Sequence, residues 1–234
     1  MSSSVNSSGP ELPALSAVPD AADIMTDPAG AGPRFPLWQI SRLRMATDGH
    51  GVTALVGSYG CPLNCKYCIN PESHGPGGNY RLVTPEELLE LVKIDDLYYL
   101  ATGGGIMFGG GEPLLHAGFI AAFRRIAPKE WNFYAETSLC VPETMLAAAA
   151  GSIDHFYVDV KDTDASIFER YTGVNAASSV LRNLSALLKL TGPDRITVRL
   201  PLIPGFNTPE DVARSKALLS RYGVVNFDCF RYRT

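Results

Sequence analysis

Residues 105–137 read GIMFGGGEPLLHAGFIAAFRRIAPKEWNFYAET. GIMFGG (105–110) is a short β-rich run stopped by glycines. HAGFIAAFRRI (116–126) carries apolar residues at helical spacing, and NFYAET (132–137) is again strand-like. Strand, glycine turn, helix and strand in that order form a β/α/β unit, which implies a parallel pair with a right-handed crossover.

The same alternation extends on both sides. VTALVGS (52–58) is a strand ending at a Gly-Cys turn, and PEELLELVKI (85–94) is a helix opened by proline. Downstream come PETMLAAAA (142–150, helix), DHFYVDV (154–160, strand), SSVLRNLSALLKL (178–190, helix) and RITVRLPLI (195–203, strand). PEDVARSKALLSRY (209–222, helix) and VVNFDCF (224–230, strand) complete the series. Six strands joined by helical connections fit either a doubly wound sheet or an incomplete barrel. Placement of the polar motifs favours the barrel, where functional residues gather at the C-terminal strand ends. Cys61 follows the first strand and GGGEP the second. Glu136-Thr137, Asp159 with Lys161, Arg199 and Arg231 close the next four. The GSYGC turn is not the G-x-G-x-x-G of a Rossmann sheet. The expected fold is therefore α/β, an incomplete (β/α)6 TIM-like barrel of parallel strands.

Residues 1–34 hold no aromatic residue and are rich in Ser, Pro, Ala and Gly. They read as a disordered leader before a single core domain over 35–234. A signal peptide needs a basic start and an apolar core of roughly 7–15 residues. A transit peptide avoids acids, and four acids here face one arginine. The whole chain has 234 residues, with 20 Lys+Arg against 24 Asp+Glu and a net charge of −4. No basic footprint for nucleic acid exists, and no apolar run approaches the roughly 20 residues of a membrane span. The expectation is a cytoplasmic protein without nucleic-acid or membrane partners.

Five cysteines are present, and three form Cys61-Pro-Leu-Asn-Cys65-Lys-Tyr-Cys68. Three thiolates from one loop can reach one inorganic centre, and soft thiolates select iron–sulfur clusters, zinc or Cu(I). Structural zinc with His74 as a fourth ligand is the plainer alternative. Cys140 and Cys229 stand alone in apolar contexts and read as buried free thiols.

The C-x3-C-x2-C run with Tyr67 before its third cysteine resembles the radical S-adenosylmethionine superfamily. Within it, the pattern is similar to glycyl-radical-enzyme activating enzymes of the pyruvate formate-lyase activase type. The matching elements run in family order from about Trp38 to Phe230: Asp48-Gly49-His50-Gly51, the cysteine loop with Ile69-Asn70-Pro71, GGGEP (109–113) and Glu136-Thr137. Asp159-Val160-Lys161, Tyr171-Thr172-Gly173, and Arg199-Leu200-Pro201 through Pro204-Gly205-Phe206 follow.

The resemblance implies a [4Fe–4S] cluster on Cys61, Cys65 and Cys68, with one iron left to chelate S-adenosylmethionine. Reductive cleavage would yield methionine and a 5′-deoxyadenosyl radical, with no catalytic side chain beyond these cofactors. Gly110, Gly111 and Glu112 resemble the motif that meets the methionine amino group. Lys161 matches a lysine near its carboxylate. Glu136, Thr137 and Asp159 match positions that hold a monovalent cation or the cofactor, although many relatives have Asp where this chain has Glu136. Arg199 is similar to an arginine lining the same pocket; alone it reads equally well as half of a structural ion pair.

Two departures stand out. Cys229-Phe230-Arg231-Tyr232 replaces a Pro-aromatic-His segment that helps enclose the cofactor. Residues 69–108 contain no cysteine, which excludes an inserted second-cluster module there. The implied partners are a glycyl radical enzyme and a flavodoxin- or ferredoxin-type electron donor. A radical enzyme acting on a peptide or small metabolite shares every cofactor residue. A non-catalytic zinc or electron-transfer module is the third reading.

Overall fold

A computed structural model describes residues 32–45, 49–75 and 77–232. The leader expected over residues 1–34 lies outside the described residues except for Gly32–Arg34, and Asp48 is also outside.

Eight strands among the described residues form one sheet. They are β1 (Phe35–Met45), β2 (Val52–Ser58), β3 (Arg81–Val83), β4 (Gly105–Gly110), β5 (Asn132–Thr137), β6 (His155–Asp159), β7 (Ile196–Leu202) and β8 (Asn226–Arg231). Their spatial order is β3-β1-β2-β4-β5-β6-β7-β8, so the sheet has two free edges and does not close. From β2 through β8 every neighbouring pair is parallel. The six expected strands are thus the six parallel strands of a partial barrel. Two antiparallel strands were not expected. β1 pairs with β2, and β3 pairs with the start of β1 through Phe35 and Val83.

Seven helices among the described residues join these strands: α1 (Pro85–Val92), α2 (Asp96–Thr102), α3 (Ala117–Ile126), α4 (Met145–Ala150), α5 (Ala165–Thr172), α6 (Ala177–Thr191) and α7 (Pro209–Arg221). Their starts are locally encoded. Thr84 and Glu87 form a reciprocal capping box on α1, and Thr208 and Asp211 do the same on α7, each with proline at the first turn. Asp164 caps α5 through the amides of Ser166 and Ile167.

Alternation along each strand divides the interior in two. Phe108, Phe133, Phe156 and Val198 point outward, into the main core beneath the helices. There Phe123 stacks on Phe133 with centroids 5.4 Å apart, each ring contributing ~2 kcal/mol by burial. Leu55, Met107 and Tyr134 form a smaller second cluster, with Tyr157 packed against it. Two residues further along the same faces of β5, β6 and β7 come Glu136, Asp159 and Arg199, so a polar layer overlies the apolar one. Cys229, read above as a buried thiol, is exposed on edge strand β8. Cys140 is half-buried against the core. No helix among the described residues is long and apolar enough to cross a membrane.

Candidate functional site

The cysteine loop leaves β2 and is anchored through its backbone. Gly60 N donates to Ser73 O at 2.7 Å, Asn64 N to Thr172 O at 2.8 Å, and Lys66 N to Tyr171 O at 3.0 Å. The last carbonyls of α5 therefore hold the loop, which gives the Tyr171-Thr172-Gly173 element a structural role. Leu63 is buried and pins the loop to the main core. Cys61, Cys65 and Cys68 all line one cavity of about 300 Å³ at the C-terminal ends of the parallel strands. Burial pushes the Cys61 and Cys65 thiols up, and the neighbouring Glu112 carboxylate adds to the effect at Cys61. As thiolates these groups need a positive inorganic partner. Among the described residues, no three Cys, His, Asp or Glu side chains are grouped to hold a single metal ion. His74 is outside the cavity lining.

The GGGEP turn closes one side. Gly111 N donates to Ser58 O at 2.9 Å and Glu112 N to Gly60 O at 2.8 Å, so this turn lies directly against the start of the cysteine loop. A Cβ on Gly111 would come 2.1 Å from Gly60 O, closer than any side chain tolerates. Gly110 has φ +88°, in the left-handed region that favours glycine. Its carbonyl accepts a long 3.4 Å contact from Asn70 Nδ2.

Glu112 is buried and fully engaged within the protein. Its Oε1 accepts from Thr137 Oγ1 at 2.7 Å and Leu114 N at 3.2 Å; its Oε2 accepts from Ser138 N at 2.8 Å and Ser138 Oγ at 2.6 Å. Burial raises its pKa even though these donors favour the carboxylate. The Glu112 side chain thus braces the glycine turn against the end of β5. Behind it, Asn183 of α6 donates to Leu139 O and Val141 O at 2.9 and 2.8 Å, fixing the 138–141 turn. Leu139 holds a positive φ of 55° there. Ser138 and Asn183 carried no motif. Ser138 is legible only as the neighbour of Thr137, and Asn183 looks like any polar residue on a helix.

The polar layer forms the cavity floor. Arg199 Nη1 lies 2.6 Å from Glu136 Oε1, and Arg199 Nε lies 2.8 Å from Asp159 Oδ1. Lys161 Nζ donates to Asp159 Oδ2 at 3.0 Å. Burial alone would raise the Asp159 pKa, but Lys161 and Arg199 outweigh it and hold the carboxyl below its usual range. Burial likewise opposes charge on Lys161, yet the Asp159 carboxylate keeps the ammonium well above its ordinary value. The opposite wall is the C-terminal segment. Phe230, Arg231 and Tyr232 line the cavity, with Lys161 Nζ 6.0 Å from the Tyr232 ring and Arg199 Cζ 6.0 Å from the Phe230 ring.

All eleven residues singled out in the sequence border this cavity. Cys140 and Cys229 do not.

The family model of the radical SAM superfamily matches residues 55–218. The chain is 24% identical over 246 aligned positions to the (2S)-3-sulfopropanediol sulfolyase activating enzyme of Bilophila wadsworthia, covering 79% of this chain and 81% of that one. It is 26% identical over 247 positions to the isethionate sulfite-lyase activating enzyme of Desulfovibrio desulfuricans, covering 79% of each. In fold it is similar to Streptococcus suis SuiB bound to S-adenosylmethionine, with a TM-score of 0.60, 11% identity, and coverage of 77% of this chain and 40% of that one. With the family match spanning most of its barrel, this chain belongs to the radical SAM superfamily, whose members use a [4Fe–4S] cluster and S-adenosylmethionine.

Proposed function

We propose that the protein is an activating enzyme that abstracts a hydrogen atom from a glycine of a partner glycyl radical enzyme. The observation that carries this reading is the single cavity bordered by three thiols of one loop, the GGGEP turn and the ion-paired ends of β5, β6 and β7. The names of the two activating enzymes above support the partner class. When bound, the cluster and S-adenosylmethionine supply one-electron cleavage of the sulfonium, yielding methionine and a 5′-deoxyadenosyl radical that takes the hydrogen atom.

In this reading residues 35–234 are the catalytic unit. Cys61, Cys65 and Cys68 provide the thiolate ligands, a set that suits iron–sulfur chemistry. The cavity fits that group better than a lone zinc ion, because a single ion requires its ligands to converge at about 2.3 Å from one point. The Gly110 carbonyl keeps acceptor capacity for an ammonium. Lys161 uses one of its three donors on Asp159 and has others for a carboxylate. Glu112 and Thr137 hold the glycine turn in position. Phe230 and Tyr232 shield the cavity from water. The electron comes from a flavodoxin- or ferredoxin-type donor in the cytoplasm.

The test is anaerobic reconstitution, reduction and assay for 5′-deoxyadenosine. Product is expected from the wild type and not from Cys65→Ala. Zinc in place of iron, with no product, overturns the enzyme reading. Deuterium transfer from a labelled glycine of a candidate partner into 5′-deoxyadenosine separates the activase from an enzyme acting on a peptide or small metabolite.

A further inference from the structure

The resemblance implies that Glu136, Thr137 and Asp159 surround a monovalent cation or the cofactor. The structure commits all three elsewhere. Thr137 Oγ1 donates to Glu112 and accepts from Leu139 N at 2.9 Å. Glu136 and Asp159 meet Arg199 at 2.6 and 2.8 Å, and Asp159 also meets Lys161.

We propose that Arg199 is the resident counter-ion of the Glu136–Asp159 pair, occupying the role of a free cation, so that cofactor binding requires neither sodium nor potassium.

The register explains how one guanidinium serves both carboxylates. Asp159 and Arg199 are direct partners across β6 and β7. Glu136 lies one strand further, on β5, opposite Tyr157 and so two residues short of Asp159. Only a long side chain spans that diagonal: arginine hydrogen-bonds Glu136 through Nη1 and meets Asp159 through Nε as an ion pair outside hydrogen-bond geometry. Glutamate is one methylene longer than aspartate and closes the remaining distance, which accounts for the departure at position 136. The two carboxylates of the floor meet one guanidinium and one ammonium. The Arg199, Asp159 and Glu136 side chains are only 17%, 20% and 22% exposed. An added cation would therefore meet the guanidinium with little solvent screening. A guanidinium, unlike an exchangeable ion, is also present before the cofactor arrives, so the floor is preorganised.

Arg199's role toward the cofactor rests on the proposed S-adenosylmethionine site, and the experiment separates the two. Reconstituted protein is prepared with choline as the only bulk cation, and S-adenosylmethionine affinity is measured calorimetrically in choline, sodium and potassium chloride at equal ionic strength. Wild-type Kd is expected to be the same in all three. Arg199→Gln is expected to lose about tenfold in affinity in choline and to regain part of it in sodium or potassium. Glu136→Asp, which shortens the reach, is expected to show a weaker form of the same salt dependence. The thermal midpoint of cofactor-free protein gives a second readout: indifferent to the cation in the wild type, raised by sodium or potassium in Arg199→Gln. A wild-type Kd or midpoint that improves with sodium or potassium overturns the proposal, as does salt indifference in a folded Arg199→Gln. Absence of cofactor binding in every salt rejects the site reading instead, and the midpoints still decide the role of Arg199.

Discussion

Thr137 donates its hydroxyl hydrogen to Glu112 across 2.7 Å, tying the end of β5 to the turn after β4. Ser138 adds two more donors to the same carboxylate. The brace has a measurable weight. Glu112→Ala strands several buried donors and is expected to lower unfolding stability by ~3 kcal/mol, whereas Thr137→Val removes two bonds, to Glu112 and from Leu139 N, for ~2 kcal/mol. Urea unfolding of the two variants checks the ranking; equal losses would contradict it.

Gly111 is constrained from outside rather than by its own backbone, since its φ is not in the left-handed region. Gly111→Ala would drive a methyl group to 2.1 Å from Gly60 O, and two backbone segments would have to part. The expected result is a destabilisation of ~2 kcal/mol and a loss of S-adenosylmethionine affinity of about tenfold or more. Calorimetric titration beside thermal unfolding would measure both. An unchanged affinity would free the GGGEP turn from the binding role proposed for it.

His116 supplies a pH dependence. It is 5% exposed, lies edge-on to Phe35 with centroids 5.3 Å apart, and burial lowers its pKa from 6.5 to about 4. The folded protein keeps this imidazole neutral while the unfolded chain protonates first. Stability tied to His116 is therefore fully present above pH 6.5 and declines as the pH falls towards 4, by ~3 kcal/mol in all. The raised pKa of Glu112 slopes the opposite way, its share being lost as pH rises. Comparing wild type with His116→Gln isolates the histidine: the variant should lose the decline between pH 6.5 and 4. Parallel curves would show that the buried ring is not the source.

Tyr232 follows the last strand, so its removal should spare the fold. Its ring stands 6.0 Å from Lys161 Nζ on the cavity wall. Tyr232→Ala is expected to weaken S-adenosylmethionine binding about tenfold with little change in melting temperature. Retained affinity would show that the Phe230–Tyr232 segment does not enclose the cofactor.

The six parallel strands were readable because their signal is local. GIMFGG and NFYAET coincide with β4 and β5 residue for residue, each a compact run bounded by turn residues. β1 escaped because only its first three residues are buried and bulges interrupt its pairing with β2. Pro36 and three polar residues in Ser41-Arg42-Leu43-Arg44 hide the rest. β3 is three residues long and depends on β1 for its identity as a strand. α2 presents Leu97, Tyr98 and Leu100 to solvent, so it has no amphipathic stripe to announce it. Cys229 looked buried because it lies in an apolar run, but that run is an edge strand.

The spacing of Cys61, Cys65 and Cys68 and the strand–turn–helix order were properties of the sequence by itself, for both are set by neighbours along the chain. They were enough to bring every candidate residue to one end of one sheet. Only the tertiary structure decided which groups those residues hold. Glu112 meets Thr137 across 25 residues of chain, and Arg199 meets Glu136 across 63. Such pairings follow from strand register and from which side chains share the inner face, and neither leaves a periodic trace. Glu112 is held by Thr137 and Ser138, and Arg199 meets Glu136 and Asp159, because burial obliges each charge to find its partner within reach.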